Sequence, residues 1–377
     1  MAFDLALMSS FCTAGVGEPL SMKPYADADN AVQAHSPSAR PVGIELYIGM
    51  DPDLRKIASH LNRSEWRDHT RPLNACELLG SLDDNEVAVV AKWFDDMVKR
   101  RCGDSRRIVA AATFLPEISR SDNARLPSRE MATRALANVM RICRLLRSSK
   151  NRHPVKSLEI VAGSRFAGLA ESERIAGMDT EDPDIKHCYI VNMMSREDGV
   201  RQVIRSLVDA LNSLGGDKEL SDYPVLALEL EPGACFILND LAALKIFAAT
   251  ISDHPLLSTR VGFNLDIAHF RIAGITPEQL SECPQILERI CHSHISGHHP
   301  AGHFGDVLPS RTQLKEVLPW LKLLRGAWQN SAGEKGKSLG GHATNCVSVE
   351  LEAVAEAGII KEFFKRMMEN CGQYFVA

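Results

Sequence analysis

The sequence lacks the features that mark several common classes of protein. It contains no long run of Lys or Arg, and its formal net charge is −5, so neither nucleic acid nor a membrane surface is an expected partner. No stretch approaches the roughly 18 uncharged apolar residues that a membrane span needs. The ten cysteines form no C-x-x-C pair, and we expect reduced, mostly buried thiols in a cytoplasmic protein.

Motifs for nucleotide binding and for serine hydrolases are also absent. There is no Walker A sequence, no G-x-G-x-x-G after a strand and no G-x-S-x-G. The opening stretch MAFDLALMSSF has no basic residue before its apolar run, so it predicts a first strand rather than a signal peptide. Of the 377 residues, 45% are hydrophobic and 24% are charged, which is typical of a globular protein with a large core.

The dominant pattern is an alternation of short apolar runs with amphipathic stretches. The runs with strand character are residues 3–10, 41–49, 106–115, 157–166, 224–233, 260–269, 289–298 and 345–353. The stretches with helical spacing are residues 85–100, 132–148, 199–215, 239–251, 276–287, 311–326 and 356–370. Asn239 and Thr276 are the expected N-caps of two helices, with Pro277 at a first helical position. Eight strands alternating with helices favour a closed (β/α)8 TIM barrel over an open doubly wound sheet.

Three segments are longer than such a barrel needs, namely residues 11–40, 168–198 and 327–344. We expect them to be functional lids or insertions. The first two follow strands one and four and are expected on the catalytic rim, whereas the third precedes strand eight at the opposite end. Residues 11–40 show no periodic pattern. Because no internal repeat or domain boundary is evident, the chain is predicted to form a single barrel domain over residues 1–377.

Potential metal ligands stand near the C-terminal ends of the last four predicted strands, where barrel enzymes place their catalytic groups. They are Glu229, Glu231, Asp266, His292, His294, Glu350 and Glu352. Alternation along VLALELE and CVSVELE puts the carboxylates on the face opposite the Leu and Val side chains, pointing into the barrel mouth. A lone Asp at a strand end is usually a helix cap, and a lone His is usually structural. Their coincidence over four successive strands favours a site for a hard or borderline divalent cation.

The motifs LALELEPG, FNLDIAH, CHSHIS and VSVELE, in that order, resemble the xylose isomerase-like TIM barrels, and VGIELY resembles the second strand of that family. The family includes sugar isomerases, sugar epimerases and the endonuclease IV branch. The resemblance implies that Glu229, Asp266, His294 and Glu350 bind one divalent metal ion (Mn, Mg, Co or Zn). It further implies proton transfer on a sugar or sugar-like polyol through a metal-stabilised enediolate. Glu229 and Glu350 would be the acid/base pair, and His269 would orient a substrate oxygen.

The chain departs from the ketose epimerases of this family at two positions. Those enzymes add a glutamate six residues after the first metal-binding Glu and an arginine six residues after the metal-binding His, where this chain has Cys235 and Pro300. Instead, HSHISGHHPAGHFGD carries five histidines between residues 292 and 306. Candidate substrate contacts are Glu231, His298, His299, His303, Asp306 and Arg165. The His-rich segment is alternatively a second metal site that uses Asp306, or a polar rim loop with exposed histidines.

Two further hypotheses remain open on the same scaffold. One is a metal-dependent hydrolase or lyase of the endonuclease IV-like branch, in which several zinc ions activate water on a phosphodiester. Against it, strands two and three end in ELYIG and ATFLPE without the histidines of that branch, and no basic groove for DNA is evident. The other is a non-catalytic barrel that binds a carbohydrate or a partner. The expected partner is a small sugar-like molecule, and the chain is a candidate homo-oligomer.

Overall fold

The described part of the chain excludes several connecting segments. The structure, a computed structural model, describes residues 3–8, 22–37, 39–49, 51–63, 66, 74–120, 128–148, 153–165, 194–215, 220–233, 235–299, 302–307, 309–333, 339, 345–350 and 359–375.

A closed barrel of eight parallel strands forms the centre of the molecule. The strands of the barrel are β1 (Asp4–Met8), β2 (Gly43–Tyr47), β3 (Ile108–Thr113), β4 (Ser157–Val161), β5 (Val225–Glu229), β6 (Val261–Asp266), β7 (Ile290–Ile295) and β10 (Cys346–Val349). They pair in chain order, and β10 closes the barrel between β7 and β1. The prediction of a (β/α)8 TIM barrel is confirmed.

Helices cover the outside of this barrel. They are α1 (Met22–His35), α2 (Asp51–His60), α3 (Ala75–Gly80), α4 (Asp84–Cys102), α5 (Arg129–Ser148), α6 (Arg196–Asn212), α7 (Leu241–Asp253), α8 (Ile267–Ile272), α9 (Pro277–Ser281), α10 (Pro284–Leu287), α11 (Arg311–Gly333) and α12 (Ile359–Cys371). Their sequences specify their starts. Asp83 and Glu86 form a capping box at α4, and Thr276 and Gln279 form one at α9, ahead of Pro277.

The two faces of β5 show how alternation sorts side chains across the barrel wall. Leu226 and Leu228 belong to the main apolar core, which lies between the strands and the helices. Val225 and Ala227 belong to a separate small cluster with Cys291 and Leu339. Successive side chains of a strand point to opposite faces, so Glu229 shares the inner face with Val225 and Ala227. This arrangement places its carboxylate toward the barrel axis.

Several element boundaries differ from those predicted. The segment 11–40 was predicted to be patternless, but it contains α1, whose Tyr25 is buried and donates a hydrogen bond to the Leu7 carbonyl. Alanine and aspartate residues in α1 weaken its apolar periodicity, so the sequence gives little helix signal. The predicted helix 276–287 is two short helices, because Pro284 begins a new one at α10.

Further differences concern helix ends in the C-terminal half. Asp240, and not Asn239, caps α7, with its side chain accepting from the Ala243 amide. Helix α11 continues to Gly333, so the predicted insertion 327–344 is helical over its first part. Most of segment 168–198 lies outside the described residues, and the single-domain extent over 1–377 stays a prediction.

The His-rich segment forms a short antiparallel hairpin after β7. Strand β8 (Gly297–His299) pairs with β9 (Gly302–Val307). The sequence predicted no secondary structure for this segment beyond residue 298. Among the described residues, no helix is both long enough and apolar enough to cross a membrane.

Candidate functional site

Four side chains from neighbouring strands converge at one end of the barrel. Glu229 and Asp266 are the last residues of β5 and β6, His294 lies in β7, and Glu350 follows β10 directly. One donor atom from each of the four lies within 4.8 Å of the donor atoms of the other three. All of them are buried except Glu350, whose side chain is 14% exposed. The structure therefore brings together the four residues that the sequence singled out.

His294 lies at the centre of this cluster and contacts a carboxylate at each ring nitrogen. Its Nδ1 is 2.6 Å from Glu350 Oε2 and 3.5 Å from Glu229 Oε1, and its Nε2 is 3.0 Å from Glu45 Oε2. Burial by itself lowers the pKa of His294. The charges of Glu45 and Glu350, with hydrogen bonds to Glu229 and Glu350, outweigh burial and raise that pKa well above its usual value. Without a bound cation, His294 is therefore an imidazolium.

Glu45, on β2, is a member of the site that the sequence analysis did not assign. Its carboxylate is fully buried and accepts from His292 Nε2 at 2.9 Å and from His294 Nε2 at 3.0 Å. Burial raises the pKa of Glu45, but the two histidines lower it by charge and hydrogen bonding, and the net pKa is well below the usual range. A glutamate inside the apolar strand GIELY was the available signal, because a buried carboxylate needs a partner.

Glu159, on β4, is a second site residue that sequence reasoning missed. It is buried beside Glu229, and burial together with the negative charge of Glu229 raises the pKa of Glu159 well above its usual value. Burial also acts to raise the pKa of Glu229, yet the hydrogen bond from His294 and the charge of His269 bring it down to about 2. Between these two carboxyl groups, the proton resides on Glu159. Asn264 Nδ2 donates a hydrogen bond to Glu229 Oε1 at 3.2 Å, which further stabilises the ionised form of Glu229.

Glu350 has the opposite electrostatic character to Glu229. Burial is the largest influence and raises its pKa, His294 lowers it, and the charges of Glu229 and Asp266 raise it again, giving a pKa of about 7. Glu229 is thus ionised at neutral pH, whereas Glu350 is close to half protonated. Two neighbouring carboxyl groups with different pKa values commonly serve as the acid and the base of one active site.

Asp266 and His269 are linked by the start of α8. Asp266 Oδ1 accepts from the His269 amide at 2.7 Å, which caps the helix, and Asp266 Oδ2 accepts from Ser296 Oγ at 2.9 Å. The His269 ring donates from Nδ1 to the Leu230 carbonyl at 3.0 Å, because a carbonyl can only accept. Asp266 is therefore a helix cap that also lies within the four-residue cluster.

Searches for similar proteins produced structural matches only. No protein-family model matches the chain, and no curated protein matches its sequence. The solved structure of an IolI protein with a bound zinc atom superposes with a TM-score of 0.52 at 14% identity, covering 100% of this chain and 98% of that one. This chain therefore has the TIM-barrel fold of that structure.

Two other solved structures are similar at lower scores. A protein described as a sugar phosphate isomerase/epimerase, from Anabaena variabilis, has 12% identity and a TM-score of 0.48, covering 97% of this chain and 88% of its own. Endonuclease IV from Thermus thermophilus has 14% identity and a TM-score of 0.44, covering 97% of this chain and 99% of its own.

The described part of the chain includes three of the other predicted substrate contacts, Glu231, His298 and Arg165. Glu231 is half-buried, and its Oε2 is 3.9 Å from His269 Nδ1. His298, also half-buried, accepts at Nδ1 from Gln313 Nε2 at 3.2 Å. Arg165 follows β4 and donates from Nε to the Met194 carbonyl at 2.9 Å. His299, His303 and Asp306 lie in the hairpin, and their side chains fall outside the described residues, as does Glu352.

Proposed function

We propose that the chain is a divalent-metal-dependent isomerase or epimerase acting on a sugar or a sugar-like polyol. The observation that carries the proposal is the pair Glu229 and Glu350, whose carboxylates lie 3.5 Å and 2.6 Å from His294 Nδ1 and have separated pKa values. An isomerase or epimerase needs one group that takes a proton from carbon and one that returns it. The ionised Glu229 suits the first role and the protonated form of Glu350 suits the second.

The donor set fits a divalent cation. Three carboxylates and one imidazole are the mixed oxygen and nitrogen ligands that suit Mn²⁺, Mg²⁺, Co²⁺ or Zn²⁺. Carboxylates this close together in a buried site are costly unless positive charge compensates them. Glu229, Asp266, His294 and Glu350 would hold the ion. When bound, such an ion acidifies a substrate C–H beside its oxygens and stabilises the negative charge that develops. The zinc atom of the IolI structure agrees with this proposal.

The other residues of the site would position the substrate and determine which groups carry protons. The Leu230 carbonyl accepts from His269 Nδ1, so His269 would contact a substrate oxygen through Nε2. Asn264 and the neutral Glu159 keep Glu229 ionised and in place. Glu231, next to His269, is proposed to accept a hydrogen bond from a sugar hydroxyl.

The proposal also covers partners and location. Glu45, Glu229, Asp266 and Glu350 give this end of the barrel a high density of carboxylates, which disfavours the phosphate backbone of nucleic acid. A small neutral sugar is the substrate class that suits it. The cytoplasmic location and the homo-oligomeric state remain predictions from the sequence.

Metal content and isotope exchange test the proposed function together. We expect purified protein to carry one divalent ion per chain and to incorporate solvent deuterium at carbon in a member of a panel of aldoses, ketoses and polyols. Elemental analysis and mass spectrometry measure the two quantities, with ion-stripped protein as the control. Absence of both the ion and the exchange would leave only a binding barrel and contradict the proposal.

A metal-dependent hydrolase is the second candidate, favoured by one observation. Glu229, Glu231 and His269 form another group whose donor atoms lie within 4.8 Å of one another, and this group shares Glu229 with the first. A two-ion centre could activate water. However, His269 Nδ1 already donates to the Leu230 carbonyl, which removes that nitrogen as a ligand. Two or three zinc ions per chain in the elemental analysis would favour the hydrolase.

Cation binding is expected to release protons. In the free protein His294 has a raised pKa and Glu350 a pKa of about 7, so both carry protons below neutrality. A metal ligand must be deprotonated, so the affinity for Zn²⁺ should rise as the pH passes about 7, where Glu350 loses its proton, and should rise further until His294 has lost its own. Calorimetry in two buffers with different ionisation enthalpies measures the protons released. An affinity independent of pH would contradict the assignment of these two ligands.

A further inference from the structure

We propose that Glu45 is a positioning residue for His294. By accepting a hydrogen bond from Nε2, it keeps a ring proton on that nitrogen, so that Nδ1 is the nitrogen that binds the cation. The inference rests on the proposed function, because it concerns how the metal site is prepared. Glu45 reaches the site from β2, whereas both histidines lie on β7, and its side-chain hydrogen bonds within the described part of the chain go to these two rings.

The geometry of Glu45 determines which ring nitrogen of each histidine carries a proton. Oε1 accepts from His292 Nε2 at 2.9 Å, and Oε2 accepts from His294 Nε2 at 3.0 Å. An ionised carboxylate only accepts hydrogen bonds, so both rings must present N–H at Nε2. When the His294 ring gives up one proton on binding a cation, the remaining N–H stays on Nε2, and Nδ1 offers its lone pair on the side of Glu229 and Glu350. That lone pair is what a cation requires.

The two histidines differ at their other nitrogen. His294 Nδ1 lies 2.6 Å from Glu350 Oε2 and 3.5 Å from Glu229 Oε1, which can take up a proton, and 3.1 Å from Asn264 Nδ2, which donates to Nδ1 when that nitrogen carries no proton. His292 Nδ1 is buried and has no hydrogen-bond partner among the described residues. A proton on His292 Nδ1 would therefore be buried without an acceptor, whereas a proton on His294 Nδ1 would be well accommodated.

This difference predicts a specific result for Glu45→Gln. The amide has one accepting oxygen and one donating NH₂, so it can accept from only one of the two rings, and the other ring must accept at Nε2 and keep its proton on Nδ1. Since only His294 has acceptors at Nδ1, His294 takes the altered tautomer. A proton on Nδ1 then takes up the lone pair that the cation needs.

Zn²⁺ affinity in four proteins tests the inference. Glu45→Gln is expected to weaken Zn²⁺ binding by about 10- to 100-fold, the usual effect of losing the outer partner of a metal-binding histidine. His292→Leu, the matched control, leaves the bond from His294 to Glu45 and should keep the affinity within about threefold. In the double variant the amide oxygen introduced by Glu45→Gln is available to His294 alone, so the affinity should recover toward the wild-type value. A purely structural role for Glu45 gives no such recovery.

Nuclear magnetic resonance of ¹⁵N-histidine-labelled wild type with bound Zn²⁺ gives an independent readout. We expect His294 to ligate through Nδ1 and to retain a proton on Nε2, and ligation through Nε2 would overturn the inference even where Glu45→Gln did not fold. If wild type binds Zn²⁺ and the folded Glu45→Gln protein binds equally well, the inference about Glu45 is wrong and the proposed function stands. If wild type binds no divalent cation, the proposed function itself is wrong.

Discussion

Replacing Glu350 by glutamine is expected to reduce solvent deuterium incorporation into the substrate by about 10²- to 10⁴-fold, the usual contribution of a positioned acid or base. Glutamine keeps the size of the side chain but cannot carry a transferable proton. In wild type the pKa of Glu350 is about 7 without a cation, and a bound cation would lower it, so the donor form of Glu350 is lost as the pH rises toward neutrality. Exchange in the variant should no longer show this dependence. Mass spectrometry of the product at several pH values makes the measurement.

The matched control for this variant is Glu362→Gln on α12. Glu362 is half exposed, pairs with Arg366 on the same helix and belongs to none of the ligand groups at the strand ends. The control variant should exchange like wild type. Metal content must be measured in both variants, because Glu350 is also a proposed ligand. A Glu350→Gln protein that retains its ion and full exchange would show that Glu350 is not part of the acid/base pair.

The second large effect is expected for Asp266→Asn. Replacing an outer hydrogen-bond partner of a metal ligand typically lowers metal affinity by roughly 10- to 100-fold. Because Asp266→Asn removes the charge of a proposed ligand itself, it should lower Zn²⁺ affinity by more than that. The fold should be retained, because an asparagine oxygen can still accept from the His269 amide and cap α8. Thermal unfolding without metal should therefore change little, and calorimetric titration with Zn²⁺ should change greatly.

Asp240→Asn provides the comparison for Asp266→Asn. Asp240 caps α7 in the same way, accepting from the Ala243 amide, and it pairs with Arg196 outside the cluster. This variant should bind Zn²⁺ as wild type does. Equal affinities in the two variants would mean that Asp266 is only a helix cap, which is the structural role that a lone aspartate at a strand end usually has.

The sequence allowed the barrel to be predicted because the information for it is local. Each strand is a short apolar run, and each is followed by an amphipathic segment, so the count of eight and the parallel arrangement follow from periodicity. Helix α1 was missed because its apolar spacing is weak, and its contact through Tyr25 to Leu7 exists only after folding. The hairpin of β8 and β9 was missed because histidine and glycine give little strand signal.

Chain order alone determined which carboxylates and histidine stand at the ends of neighbouring strands, since adjacent parallel strands bring their carboxyl ends to one rim. The structure decided what surrounds them. Glu45 and His292 are 247 residues apart and meet only because the sheet closes on itself. The protonation states of Glu159, Glu229 and Glu350 likewise depend on burial and on mutual distance, which no linear pattern specifies.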